Sequence, residues 1–185
     1  MWVAVEGPDL AGKTSVCNSM RLQGFPVVTP WGDLSNARSS LTSISRTLIS
    51  LASRDTRLFL MDRFITSEMV YGPLLSRSVE YVPELLGEWA ELSLLAVYII
   101  VPDPDTLAAR YRSRGDHLHT IDAVLASREA YLELPTSLGP SIPSTIASSS
   151  DPDGLLRWIS ANGWVGSVSP INAPVGISDG RAKPT

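Results

Sequence analysis

Val3-Ala4-Val5-Glu6-Gly7-Pro8-Asp9-Leu10-Ala11-Gly12-Lys13-Thr14-Ser15 sets an apolar strand directly before Gly-x-x-x-x-Gly-Lys-Thr and a helix-compatible run, Ser15 to Leu22, directly after it. That context defines a phosphate-binding loop, or P-loop. Gly7 and Gly12 let the backbone of Pro8, Asp9, Leu10 and Ala11 curl with its N–H groups turned inward. Lys13 reaches the β- and γ-phosphates, and the Thr14 hydroxyl can ligate Mg²⁺. A helix opening at Gly12 brings Ser15 and its neighbours to the positive end of a helix dipole, where anions are stabilised.

The remaining chemistry is bounded by composition. The 185 residues suit one domain. Hydrophobic residues make up 44% and charged residues 18%, and the net charge is −4 with a pI near 5.1, which argues against a nucleic-acid partner. A single cysteine, Cys17, rules out an internal disulfide framework and points to a reducing compartment. No charged-then-apolar leader opens the sequence and no apolar run approaches ~18 residues, so the expectation is a soluble, cytoplasmic protein with no membrane partner.

Five apolar runs read as strands of a parallel α/β sheet with helices on both faces: Trp2–Glu6, Phe25–Thr29, Leu58–Asp62, Leu95–Val101 and Ser144–Ser148. Between them, Leu41, Ile44, Leu48 and Leu51 predict a helix over Asn36–Ser53, and Val82, Leu85, Leu86, Trp89 and Leu92 predict another. Asp103-Pro104 and Asp151-Pro152 read as an N-cap followed by proline at the first helical position, opening helices toward Arg114 and Asn162. From Gly163 onward, Gly, Ser and Pro displace the periodic apolar residues, so 163–185 reads as a disordered or loosely attached tail, with docking of Trp164 as the competing outcome.

The third strand ends in Asp62-Arg63. Beside the P-loop strand, Asp62 would face a bound metal ion or its water, and the Arg63 fork matches a phosphate bidentately.

Glu6-Gly7-Pro8-Asp9-x-x-Gly12-Lys13-Thr14 with Asp62-Arg63-Phe64-x-x-Ser67-x-x-Val70-Tyr71 resembles thymidylate kinase and the related deoxynucleoside and deoxynucleoside-monophosphate kinases, over roughly residues 2 to 134. The resemblance implies a P-loop NTPase fold like that of nucleoside monophosphate kinases, with strand order 2-3-1-4-5. It implies ATP and Mg²⁺ as cofactors, with Thr14 and Asp62 as metal ligands, and a small nucleotide as partner. Asp9 would hold the acceptor sugar's 3′-hydroxyl and Arg63 its 5′-phosphate, with Ser67 and Tyr71 near the sugar and base. Residues 1–162 would form the kinase domain, and a homodimer is an assembly this reading admits. Asp105 to Asp116 is similar to the helix and lid of these kinases, the lid covering about 110–119. Because Leu10 stands where some thymidylate kinases carry a P-loop arginine, the catalytic positive charge would fall to Arg110 and Arg114, one turn apart on one helix face. His117 and His119 read as solvated lid residues.

After the second strand the sequence departs from the family pattern. The arginine expected there is absent, and Trp31 either stacks on a base or plugs the core edge. Transfer to a deoxynucleoside monophosphate is the leading reading. A deoxynucleoside kinase, using a carboxylate near Glu6 or Asp62 as base, is the alternative. A non-catalytic nucleotide-binding module is the third reading, and it has no use for Asp62-Arg63 or the arginine-rich helix.

Overall fold

The computed structural model describes residues 1–30, 37–52, 54–114 and 120–164. Trp31, residues 115–119 of the expected lid with His117 and His119, and the residues beyond Trp164 lie outside the described residues. The chain runs β1 (Trp2–Glu6), α1 (Lys13–Leu22), β2 (Val27–Val28), α2 (Ala37–Ala52), β3 (Phe59–Asp62), α3 (Thr66–Leu74), α4 (Val82–Glu91), β4 (Leu95–Ile100), α5 (Pro104–Arg114), α6 (Ile121–Leu138), β5 (Ser144–Ala147) and α7 (Pro152–Ala161). The strands form one parallel sheet in the order β2-β3-β1-β4-β5, the order expected.

Both faces of the sheet are buried, which is why its central strands are apolar throughout rather than alternating. Trp2 and Ala4 of β1 point into a core built with α2, α3, α4 and α6, whereas Val3 and Val5 point into a second core with α1 and α7. In the first core Trp2 stacks on Phe59 with ring centroids 4.5 Å apart and meets Trp89 edge-on at 6.3 Å. Trp89 also donates its indole N–H to Ser45 at 2.7 Å. Such aromatic pairs add ~0.5–1.5 kcal/mol beyond the area they bury. Trp89→Ala would cost ~3–5 kcal/mol.

The edge strands are shorter or more exposed than the apolar runs suggest. Of Phe25–Thr29 only Val27 and Val28 pair: Pro26 has no N–H to give, and Phe25 drops into the second core instead. β5 is half-exposed, as an edge strand can be. The Asp103 and Asp151 caps form, Asp151 accepting from the backbone N–H of Asp153 and Gly154 at 3.0 Å each.

Two helices had no clear signal in the sequence. α3 carries Gly72 and Pro73, ordinarily breakers, in its last turns; a Cβ on Gly72 would lie 2.1 Å from Val79 Cγ1, so close approach of the following loop demands glycine. In α6 the buried stripe Val124, Ser127, Tyr131, Leu134 and Leu138 has polar atoms at its second and third positions, and Pro135 interrupts it. At the other end of the described chain, Gly163 and Trp164 close α7. The Trp164 N–H donates to Ile159, and its ring meets Trp158 edge-on at 5.1 Å.

The register delivers the chemistry to one end of the sheet. Val5 lies opposite Asp62 and Glu6 opposite Ile99, so the loops leaving β1, β3 and β4 meet at the carboxyl ends of the strands, where parallel α/β sheets bind ligands.

Candidate functional site

The loop after β1 has the backbone its sequence demands. Gly7 has φ 142°, and a Cβ there would sit 2.2 Å from the Ile100 carbonyl oxygen. Gly12 has φ 94°, and a Cβ would meet Ser150 at 2.6 Å. Only glycine fits either position. Leu10 also takes a left-handed conformation, with φ 66°, at the crest of the loop.

Lys13 is only 5% exposed, and its Nζ donates to the carbonyls of Gly7 at 2.8 Å and Pro8 at 2.6 Å. The loop carbonyls hold the ammonium inside the curl that a phosphate would share. Burial pushes the Lys13 pKa down to about 7, and the positive Arg63 adds to this against the opposing pull of Asp9, Glu6 and Asp62. Cys17, one turn further along α1, is buried and its thiol is pushed up to about 12, first by burial and then by Asp62, so it is inert packing.

Arg63 follows the end of β3 in a left-handed conformation, φ 71°, uncommon for a residue with a side chain. Its backbone N–H donates to Val5 at 3.1 Å. The guanidinium donates to the Asp9 carboxylate and lies 5.2 Å above the Tyr71 ring. Tyr71 in turn meets Tyr131 of α6 edge-on at 6.1 Å. Ser67 gives its hydroxyl to the interior, donating to Glu6 Oε2 at 2.6 Å.

Glu6 is fully buried and accepts four hydrogen bonds. Oε1 takes the Phe64 N–H at 2.7 Å and the Thr66 hydroxyl; Oε2 takes Ser67 and, at 3.2 Å, the Tyr131 hydroxyl. Tyr131 and this role of Glu6 escaped sequence reasoning. A charged residue ending an otherwise apolar buried strand is the one local signal, and nothing local links it to a tyrosine 125 positions away.

A cleft of about 190 Å³ is lined by Asp9, Leu10, Gly12, Lys13, Thr14, Ser15, Arg63 and Arg114. Arg110, one turn before Arg114, donates to the Leu10 carbonyl at 2.8 Å. The structure therefore brings the P-loop, Arg63, Arg110 and Arg114 together. Asp62 is buried at the β3 end, near enough for its charge to act on Lys13. Among the described residues no group of three or more His, Cys, Asp or Glu is placed to hold a metal ion. The Thr14 hydroxyl and Asp62 carboxylate are hard oxygen donors, and such a pair suits Mg²⁺, which is bound by one or two protein groups together with substrate phosphates. No described helix is long and apolar enough to cross a membrane.

No protein-family model and no curated protein sequence matches the chain. Solved structures do. The YorR protein of Bacillus subtilis, in complex with phosphorylated GDP, is 20% identical with a TM-score of 0.66, covering 88% of this chain and 98% of that one. Deoxyadenosine kinase from M. mycoides is 15% identical with a TM-score of 0.55 and the same coverage. Thymidylate kinase from Candida albicans is 14% identical with a TM-score of 0.54, covering 88% of this chain and 92% of that one. At such identities the likeness speaks for architecture alone. Together with the strand order and the loop after β1, it shows that the chain has the fold of the P-loop kinases.

Proposed function

We propose that the protein transfers the γ-phosphoryl group of ATP to a phosphate oxygen of a deoxynucleoside monophosphate, giving ADP and the deoxynucleoside diphosphate. The observation that carries this reading is the placement of Arg63. Arg63 lines the same cleft as Lys13, and its guanidinium is held there by Asp9 and the Tyr71 ring. A planar fork in that place suits a second phosphate, distinct from those cradled by the P-loop.

An acceptor phosphate is already ionised, so the reaction asks for positioning and charge neutralisation rather than a strong base. Lys13 with the loop N–H groups holds the donor phosphates, Arg110 and Arg114 supply charge at the transferred group, and Arg63 aligns the acceptor. Thr14 and Asp62 would hold Mg²⁺, which when bound neutralises charge on the donor's phosphate oxygens. A deoxynucleoside acceptor would instead need a carboxylate to take its 5′-hydroxyl proton. Both oxygens of Glu6 are already committed to donors, which leaves Asp62 for that duty. A non-catalytic module has no use for three arginines gathered at the P-loop.

The test is ADP release with ATP and Mg²⁺ across the four deoxynucleosides and their monophosphates. Turnover with at least one monophosphate, well above that with its nucleoside, is the expected result. Turnover with nucleosides only, or with none of the eight, overturns the reading.

A further inference from the structure

Arg63 stands in a conformation that its own side chain disfavours, and both peptides flanking its Cα are tied to β1. The N–H of Arg63 donates to Val5 at 3.1 Å, and the N–H of Phe64 donates to Glu6 Oε1 at 2.7 Å. The second tie differs from the first: it depends on a side chain, and that side chain is fully buried, fixed from two helices. Thr66 and Ser67 hold it from the first turn of α3, and Tyr131 holds it from the middle of α6. Beyond Phe64 the chain is anchored as well, the Phe64 ring lying edge-on against Trp89 at 5.1 Å. With the left-handed turn pinned in this way, the guanidinium swings back over Tyr71 to Asp9. A left-handed arginine persists only where its surroundings over-determine it, and such strain marks functional sites.

We propose that Glu6 is a positioning residue, holding Arg63 in its left-handed conformation through the Phe64 peptide so that the guanidinium faces the acceptor phosphate. This rests on the reading of Arg63 given above. Glu6 exchanges no proton with substrate: four donors saturate its oxygens, and it is shielded from the cleft. Tyr131 is part of the same device, because it ties the carboxylate to α6. The chemistry distinguishes Glu6 from a base in a simple way. In Glu6→Gln the amide oxygen still accepts from Phe64 and Thr66, while its NH₂ donates to the hydroxyl oxygens of Ser67 and Tyr131, which accept as readily as they donate. The clamp survives without the carboxylate.

Steady-state kinetics of Glu6→Gln, Glu6→Ala and Thr66→Val test this. Glu6→Gln is expected to keep kcat within about tenfold, against the ~10²–10⁴-fold loss that removing a general base brings. Glu6→Ala should raise KM for the monophosphate about 10²-fold, the scale of an ångström-sized misplacement, and change KM for ATP less than about threefold. Thr66→Val, which keeps the buried shape and deletes one donor, should shift the monophosphate KM in the same direction by several-fold. It keeps the proposal open to refutation should Glu6→Ala not fold. A Gln variant as damaged as the Ala variant, or equal rises in both KM values, overturns the proposal. If the unaltered protein turns over no monophosphate, the functional reading fails, and positioning is then decided by crystal structures. Positive φ at residue 63 in Glu6→Gln but not in Glu6→Ala supports it; positive φ in both overturns it.

Discussion

Nη1 of Arg110 donates to the carbonyl oxygen of Leu10 at 2.8 Å, joining α5 to the crest of the P-loop across 100 positions of sequence. Leu10 itself adopts φ 66°. The Arg110 guanidinium, carried by another element, is thus held against the crest of the loop.

Arg110→Ala is accordingly expected to lower kcat by about 10²–10³-fold, the range for one preorganised electrostatic group, with little change in KM for the acceptor. Arg110→Lys should recover only part of this, since an ammonium lacks the planar fork. Rapid-quench measurement of the transfer step reads it directly. A kcat within about threefold of the unaltered protein would assign Arg110 to holding the loop rather than to transfer.

Lys13 is expected to make nucleotide binding pH-dependent. Its folded-state pKa is lowered to about 7, while an unfolded lysine titrates near ~10.4. Between those values the unfolded chain binds the proton and the folded one does not, so this group makes the protein more stable as pH rises through that window. Polyphosphate in the loop restores the charge. Binding of ADP at pH 8 should therefore take up a proton, seen as a calorimetric enthalpy that differs between HEPES and Tris buffers, and Lys13→Met should abolish the uptake. Equal enthalpies in the two buffers would show Lys13 already protonated.

Trp164, the last of the described residues, packs on the end of α7. Its ring, partly buried against Trp158, should contribute about 1 kcal/mol, less than a fully buried aromatic. A chain ending at Gly163 should then melt about 2–4 °C below one ending at Trp164 and keep its activity. Identical melting temperatures would mean that the indole adds nothing to the fold.

The strands and the P-loop were legible because both rest on local signals, whereas the strand order came from the resemblance alone. Buried parallel strands are continuously apolar, and Gly7, Gly12 and Lys13 sit at fixed spacing. The caps at Asp103 and Asp151 were legible for the same reason. The burial of Lys13 was not, because it follows from the Gly7 and Pro8 carbonyls turning inward, a property of the folded loop. α6 was hidden by Ser127 and Tyr131, polar atoms on its inward stripe: Tyr131 meets Glu6 and Tyr71, and the Ser127 hydroxyl donates to the Val124 carbonyl of its own helix at 2.8 Å. The parts of the site that escaped sequence reasoning are the contacts between α3, α6 and β1, whose members share no local pattern.

The central claim is that Arg63 grips the phosphate of the acceptor and not that of ATP, and calorimetric titration of Arg63→Ala with each ligand tests it most directly. Truncating one side of a desolvated charge pair costs ~2–5 kcal/mol, so the monophosphate should bind at least tenfold more weakly while the affinity for ATP stays within about threefold. Equal loss of both affinities, or monophosphate binding unchanged, would contradict the account.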